Sequence, residues 1–244
     1  MPDKRTHRGP APEDAVLFAK RRIAPLQQAV HDLNWLLSRG YADKSSLKLV
    51  GDRYRLTKRQ QIAVMRCACS DAQRDQRAET ELSPDDICGQ SVVVDGYNIL
   101  ITVEAALSGA ILIKGADGCI RDLASIHGTY RKVQETLPAL SYIAAALNRL
   151  EIAETLWLLD SPVSNSGRLK QLMLDFAVQN ALNWNVELVL NPDNLLATSE
   201  KVAITSDSAI LNRCQRWFNF IPRVLPELPI PPKTLWLIDL SGHL

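Results

Sequence analysis

Aspartates follow several apolar runs in the C-terminal two-thirds of the chain. Asp95 ends the run Val-Val-Val-Asp, Asp160 ends Leu-Trp-Leu-Leu-Asp, and Asp207 follows Val-Ala-Ile-Thr-Ser. Asp239 has a similar place in the last apolar run, Leu-Trp-Leu-Ile-Asp. In open parallel sheets, ligands bind in the crevice outside the carboxyl ends of the strands, so we expect these carboxylates to meet there. Carboxylates that converge repel one another, and a hard divalent cation offsets that repulsion.

Such a site suits metal-assisted hydrolysis of a phosphodiester, in which a divalent ion such as Mg²⁺ activates water and offsets charge on the leaving oxygen. The alternative for each aspartate is an N-cap for the following helix, because Asp is common at that position. Asp193 and Asp175 are assigned only to a turn and to a helix surface. Several strand-end aspartates, one in Asp-Gly-Tyr-Asn (95–98) and one in Thr-Ser-Asp-Ser (205–208), favour the metal site.

Strand-like runs alternate with helical patterns from residue 91 onward. Strands are predicted at 91–95, 155–160, 186–190, 202–207 and 234–240, helices at 121–150, 167–182 and 208–218, and a hairpin at 108–120. This alternation predicts parallel βαβ units and a sheet that is covered on both faces.

The N-terminal part has a different character. Helices are predicted at 14–39, at 43–50 and after Thr57, which is a good N-cap. Residues 71–86 read as a polar linker or an exposed helix, so the chain divides into a small helical domain, 1–86, and an α/β domain, 87–244. The net charge of +1 conceals +8 in residues 1–70, −4 in 71–90 and −3 in 91–244. That asymmetry raises the odds of a polyanionic partner for the basic part, although charge alone favours a solvated helical surface.

Other function classes are excluded by missing patterns. The chain has no signal peptide or membrane-spanning run, so we expect a cytoplasmic protein without a membrane partner. Five scattered cysteines argue against a disulfide framework, and Cys67 and Cys69 lack the further ligands of a zinc site. Neither a P-loop nor a Gly-x-Ser-x-Gly elbow is present. Tyr97 stands where a phosphatase of the haloacid dehalogenase type carries its acid-base Asp.

The segments DGYN and TSDSAIL resemble those of the PIN-like nuclease superfamily, particularly its NYN branch. This resemblance covers roughly residues 90–240 and implies a PIN-like α/β/α sandwich with a central parallel sheet, after the small all-α domain. It also implies an acidic cluster that binds Mg²⁺ or Mn²⁺ for RNA cleavage. The whole chain further resembles a prokaryotic family of unknown function with a helical N-terminal domain, through segments such as LLSRGYADKSSLKLVGDRYRLTKRQ and DGYNILIT.

The resemblance assigns the catalytic and metal-binding roles residue by residue. Asp95 is the first metal-binding carboxylate, and Asp160 and Asp207 are further catalytic and metal-binding ones. Asn98 would hold substrate or metal-bound water. For the fourth carboxylate we prefer Asp122, at the start of the helix predicted from 121, over two alternatives, Glu104 and Glu135.

Two segments are candidate nucleic-acid contacts. The first surrounds an aromatic residue with basic ones, and its members are Arg53, Tyr54, Arg55, Lys58 and Arg59. Such a segment can contact phosphates and stack on a base, whereas the alternative is a capped helix with a basic face. The second follows Asp160 in a loop, and its members are Ser164, Asn165, Ser166 and Arg168. Its alternative is that Ser164 or Ser166 only caps the next helix.

These observations favour a metal-dependent ribonuclease, with RNA as the expected partner and DNA also open. The alternative is a non-catalytic nucleic-acid-binding or assembly protein that retains the fold. A homo-oligomer is compatible with either reading.

Overall fold

The computed structural model describes residues 7–124, 129–231 and 234–241. Its N-terminal region is helical, with α1 Asp14–Leu17, α2 Lys20–Ser38, α3 Asp43–Arg53, α4 Lys58–Cys67, α5 Asp71–Thr80 and α6 Pro84–Ile87. The helix predicted over 14–39 is broken, because Ala19 has an extended backbone between α1 and α2. Thr57 caps α4 as predicted, in a capping box with Gln60. None of the helices in the described residues is long and apolar enough to cross a membrane.

The main sheet has four parallel strands in the order β5-β4-β1-β6. Their bounds are β1 Ser91–Asp95, β4 Glu154–Asp160, β5 Trp184–Val189 and β6 Val202–Ile204. The chain begins this sheet at β1, moves outward through β4 and β5, and then returns to the other side of β1 as β6. The crossovers therefore reverse direction between β1 and β6, which is where ligands bind in open α/β sheets.

Helices cover both faces of this sheet. They are α7 Gly96–Leu107, α8 Thr136–Arg149, α9 Ser166–Gln179, α10 Pro192–Thr198, α11 Ser208–Leu211 and α12 Ile221–Val224, the last followed by a short 3-10 turn. On one face, Val94 and Trp157 pack into a core with residues of α7, α8 and α9. On the other face, Val93 and Ala203 pack with residues of α10 and α11. The fold is thus mixed α/β with a parallel central sheet and a helical N-terminal region.

A second, three-stranded sheet lies apart from the main one. It has the order β3-β2-β7, with β2 Leu112–Lys114, β3 Ile120–Asp122 and β7 Leu237–Asp239. The antiparallel pair β2–β3 confirms the hairpin predicted at 108–120, and its turn contains Gly118 at a φ of +75°. Two predictions are wrong here. The helix predicted from 121 begins only at Thr136, and Asp239 belongs to the second sheet, where it pairs with Lys114 at 3.0 Å.

The N-terminal helices pack on this second sheet. Leu26 and Val30 of α2 and Val64 of α4 form one buried cluster with Ile113 of β2 and Ile238 of β7. This core therefore draws on residues from both sides of position 86, and the division into domains 1–86 and 87–244 stays a prediction. The contact brings α4 close to the main sheet, where it borders the candidate site.

Candidate functional site

Two turns meet at the carboxyl ends of β1 and β6. Asp95 leads into α7, and its carboxylate accepts hydrogen bonds from the backbone N–H of Asn98 (3.4 Å) and the hydroxyl of Thr205 (2.8 Å). Asp207 leads into α11, and its Oδ1 accepts from the backbone N–H groups of Ala209 (2.7 Å) and Ile210 (3.2 Å). Both aspartates are therefore N-caps, as the alternative interpretation held, and both lie at the reversal point of the sheet.

Hydrogen bonds join the two turns to each other. Oδ1 of Asn98 accepts from the backbone N–H (2.8 Å) and the hydroxyl (2.9 Å) of Ser206. The oxygen of Thr205 accepts from the backbone N–H of Asp207 at 3.0 Å. Thr205 thus links Asp95 to Asp207, and the position of Asn98 is fixed by the neighbouring strand.

The glycine in Asp-Gly-Tyr-Asn is required by a close approach of two backbones. A Cβ at Gly96 would lie 2.5 Å from Cδ2 of Leu159 and 2.8 Å from the carbonyl oxygen of Leu158. Real Cβ atoms do not come that close to a carbonyl oxygen. Gly96 therefore lets the first turn of α7 sit against β4, which holds Asp95 at the end of its strand.

The acidic side chains at this edge influence one another. Burial raises the pKa of Asp95 to about 7, and the charges of Asp207 and Asp193 add to that rise, while the hydrogen bond from Thr205 opposes it. Burial also raises the pKa of Asp193, with further contributions from Asp207 and Asp160. The four carboxylates are therefore close enough to interact.

Asp193, which the sequence pattern places only in a turn, is a further acidic residue at this edge. It lies in the first turn of α10, four residues after Val189 at the end of β5. The sequence does contain a signal that would place Asp193 at this acidic edge, because Asp193 is another acidic residue that follows a parallel strand. The sequence Asn-Pro-Asp obscured it, since that sequence is also typical of a turn into a helix.

Tyr97 connects this acidic edge to the core. Burial raises its pKa to about 12, and the charge of Asp160 contributes to the rise. Its ring packs against Tyr130 with 5.5 Å between ring centroids. Its buried hydroxyl has no hydrogen-bond partner among the residues that the structure describes.

A cleft of about 630 Å³ opens beside the two turns. Asn98, Ser206 and Asp207 line it on one side, and Asp122 and Arg66 line it on another. Arg66 belongs to α4, so the helical N-terminal region forms part of the cleft wall. The cleft therefore combines a carboxylate edge with a cation from a different part of the chain.

Asp122 is the fourth-carboxylate candidate that borders this cleft, although it ends strand β3 and does not begin a helix. Its oxygens accept hydrogen bonds from the hydroxyl of Thr102 (2.8 Å) and the backbone N–H of Ala124 (2.6 Å). The other two candidates have different partners. Glu104 binds Arg8, Tyr130 and Thr136, and Glu135 binds His7.

A buried ion-pair cluster supports the turn that carries Asp207. Arg77 of α5 and Arg121 of β3 both pair with Asp117, with 2.6 Å between Nη2 of Arg121 and Oδ2 of Asp117. Arg121 also donates to the carbonyl of Ser206 (2.6 Å), and Arg77 donates to the carbonyl of Ser208 (3.3 Å). Burial raises the pKa of Asp117, but the charges of the two arginines outweigh burial and lower it overall. Two cations against one anion leave positive charge close behind Asp207.

The first segment predicted to contact nucleic acid, residues 53–59, lies partly at the end of α3 and partly at the start of α4. The hydroxyl of Tyr54 donates to Asp32 (2.9 Å), and Arg53 lies over the Tyr54 ring and 3.4 Å from the same carboxylate. Arg55 is exposed, with a φ of +50°. The aromatic ring and its neighbour are thus held in local contacts with α2.

The other two members of that segment open α4. Arg59 pairs with the buried carboxylate of Asp14 and donates to the carbonyl of Leu123 at 3.2 Å, so its charge is matched within the fold. Lys58 is exposed at the first position of the helix. Of these two, Lys58 is the exposed one.

The second predicted segment forms the entry to α9. Asn165 occupies the N-cap position at a φ of +69°, and its side chain donates to the carbonyl of Tyr130 at 2.9 Å. Ser166 is buried and donates to the carbonyl of Ser161, whereas Ser164 and Arg168 are exposed. The side-chain amide of Asn165 thus fixes the loop, and no side chain caps the helix in the described residues.

Comparisons with known proteins give the family of the chain. A family model described as "Domain of unknown function (DUF5616)" matches residues 84–223, and one described as "Protein of unknown function (DUF434)" matches residues 25–79. "Uncharacterized protein MJ0935" of Methanocaldococcus jannaschii is 28% identical over 186 residues, which cover 76% of this chain and 88% of that protein. No solved structure matches. Because the first model covers more than half of the chain, the protein belongs to the DUF5616 family.

Proposed function

We propose that this protein is a PIN-like nuclease that hydrolyses RNA phosphodiester bonds with the help of Mg²⁺ or Mn²⁺. The observation that carries the proposal is the pair Asp95 and Asp207, linked through Thr205 at the reversal point of a parallel sheet. Burial and the neighbouring charges raise the pKa of Asp95 to about 7, so the pair retains repulsion that a cation would relieve.

The donor set fits a hydrated ion rather than a fully protein-bound one. In the described part of the chain, no group of three or more His, Cys, Asp or Glu side chains is arranged to hold a metal ion. Mg²⁺ commonly keeps several waters and takes one or two carboxylates together with substrate phosphates. Asp95 and Asp207 would supply those carboxylates, and Asp193 and Asp160 would add negative charge around them.

The remaining groups of the cleft suit the positioning of a phosphodiester. When bound, the ion would activate water and offset charge on the leaving oxygen. Oδ1 of Asn98 is occupied by Ser206, which directs the amide N–H groups toward other acceptors such as phosphate oxygens. The guanidinium of Arg66 brings a positive charge to the same cleft.

The same proposal includes RNA as the substrate and the cytoplasm as the location of the protein. The excess of basic residues in 1–70 supports a polyanionic substrate. All five cysteines are free thiols, which suits a reducing compartment.

The direct test is cleavage of a varied RNA pool by the purified protein with Mn²⁺, with Mg²⁺ or with a chelator. We expect cleavage that depends on the divalent ion and that falls in Asp207→Asn by at least the roughly 10–100-fold that loss of an outer-shell partner costs, because Asp207 would be a direct ligand. Asp193→Asn should lose less, because Asp193 acts through its charge. Asp239→Asn is the matched control, since Asp239 is exposed in the second sheet, and it should keep full activity. Equal activity of Asp207→Asn and Asp239→Asn would contradict the proposal.

A second candidate is a non-catalytic nucleic-acid-binding or assembly protein. It is favoured by the same lack of a three-ligand group in the described residues, and by the use of Asp95 and Asp207 as helix caps. Under this candidate the protein would bind RNA equally well with and without divalent ions and would cut none of the pool.

A further inference from the structure

Helix α4 presents two different faces. Its inner face is buried and consists of Gln60, Ala63, Val64 and Cys67. The residues of its outer face stand three or four positions apart and are Lys58, Gln61, Ile62, Met65 and Arg66. Ile62 is 42% exposed on that outer face. The apolar side chain of Ile62 is therefore partly exposed to solvent, between Lys58 at one end of the face and Arg66 at the other.

A groove runs along this outer face. Its volume is about 490 Å³, and it is lined by the five outer-face residues together with Leu47 of α3. Two of those residues, Met65 and Arg66, also line the cleft that contains Asn98 and Asp207. The groove and the cleft therefore adjoin, and Met65 and Arg66 form the boundary between them.

The charges of the groove complement a polyanion. Helix α4 contains three basic residues and no acidic one. Arg59 is matched by Asp14, and Arg66 lies 3.9 Å from a carboxylate oxygen of Asp122. Among the described residues, Lys58 at one end of the outer face has no acidic partner, while Arg66 at the other end shares its charge with Asp122. Lys58 and Arg66 are eight residues apart, or about 12 Å along the helix axis. Arg66 is held at the boundary by a 2.5 Å hydrogen bond from its Nη1 to the carbonyl of Asp122.

The apolar centre of the groove indicates which polyanion fits. Two cations would contact phosphates, while Ile62 and Met65 between them offer apolar surface for unstacked bases. A duplex hides the faces of its bases, so it would leave that apolar surface unmatched. The groove is thus complementary to a single strand.

We propose that the α4 groove binds the single-stranded RNA adjacent to the phosphodiester in the cleft. This assignment rests on the proposed nuclease function, because the cleft defines where the strand leads. It gives α4 of the basic N-terminal region a direct role in substrate binding, and it makes single-stranded RNA the substrate class of the site.

The test measures binding and cleavage separately in the full-length protein. Binding of a fluorescent single-stranded RNA oligonucleotide and of the corresponding duplex is followed by anisotropy in the presence of a chelator, at several salt concentrations. Lys58→Gln should weaken single-strand binding several-fold and lower the salt slope by about 1, the loss of one phosphate contact. Ile62→Ser should weaken binding several-fold without changing that slope. Arg22→Gln, an exposed arginine of α2, is the matched control and should bind like the wild type.

The outcomes separate this inference from the proposed function. If Lys58→Gln and Ile62→Ser bind and cleave single-stranded RNA like the wild type, the groove assignment is overturned while the nuclease proposal stands. If both variants bind weakly but no preparation cuts RNA with Mn²⁺, the groove is retained and the nuclease proposal fails. Equal or tighter binding of the duplex, with the same losses in both variants, would overturn the assignment to a single strand.

Discussion

The hydroxyl of Thr205 donates a 2.8 Å hydrogen bond to Oδ2 of Asp95 across the gap between β6 and β1. This bond favours the charged carboxylate, yet burial and nearby acidic groups raise the pKa of Asp95 to about 7. The folded protein therefore carries an acidic group that ionises near neutral pH, well above the range of an ordinary Asp. That raised pKa has consequences for stability and for ion binding.

Stability should fall as the pH rises through the range in which Asp95 ionises. The pKa of Asp95 is about 7 in the folded state and about 4 in the unfolded state, so between these values the folded state binds more protons. The free energy of unfolding should thus decrease from pH 4 to pH 7, by about 1–3 kcal/mol from this group. Asp95→Asn should remove that part of the pH dependence in urea unfolding at pH 5 and pH 8. An unchanged difference between the two pH values would contradict the assignment.

Divalent ions should stabilise the wild type most where Asp95 is ionised. An ion that binds only the folded state adds about 2.7 kcal/mol at 100 times its dissociation constant. For a chain of this size, each kcal/mol raises Tm by roughly 2–4 °C. Mn²⁺ should therefore raise Tm at pH 8 more than at pH 5, and Asp95→Asn should lose most of the effect. Asp175→Asn, on the surface of α9, should retain it. The measurement is a thermal melt with and without Mn²⁺.

Local signals explain which parts of the fold could be predicted from the sequence. The strands β1, β4, β5 and β6 are short apolar runs, and α4 begins with a cap whose partner is three residues away. Asp95 and Asp207 can be recognised because Asp95 ends such a run and Asp207 stands only three residues after one. These features depend on neighbouring residues, so they can be read from the sequence.

Long-range pairing explains what could not be predicted. Arg77 lies in a stretch that reads as a polar linker, yet it is 2% exposed because its partner Asp117 lies 40 residues further on. The strand Ile-Arg-Asp that carries Asp122 is too short and polar to be recognised without its partner β2. Asp239 ends an apolar run like the others, and only its pairing partner shows that it belongs to a different sheet.

Asp117→Asn should destabilise the fold strongly. The substitution leaves Arg77 and Arg121 buried without a counter-charge, and breaking a buried ion pair in this way costs about 3–5 kcal/mol. Asp75→Asn is the matched control, because Asp75 pairs with Arg74 on the surface and should cost less than about 1 kcal/mol. Urea unfolding of both variants at pH 7 gives the comparison. Similar small losses in the two variants would mean that the cluster does not support the turn at 206–208.

Gly96→Ala should destabilise the protein although both residues are small. Its new Cβ would meet the backbone of Leu158 at 2.8 Å, and forced overpacking of this kind typically costs about 1–3 kcal/mol. Gly167, in the first turn of α9, is the opposite case, because a Cβ there would meet no other atom within 4 Å. Gly167→Ala should therefore stabilise the protein by about 0.4–1 kcal/mol through the unfolded state. Urea unfolding of the two variants should move the midpoint in opposite directions, and a Gly96→Ala midpoint equal to or above that of the wild type would contradict the close contact between α7 and β4.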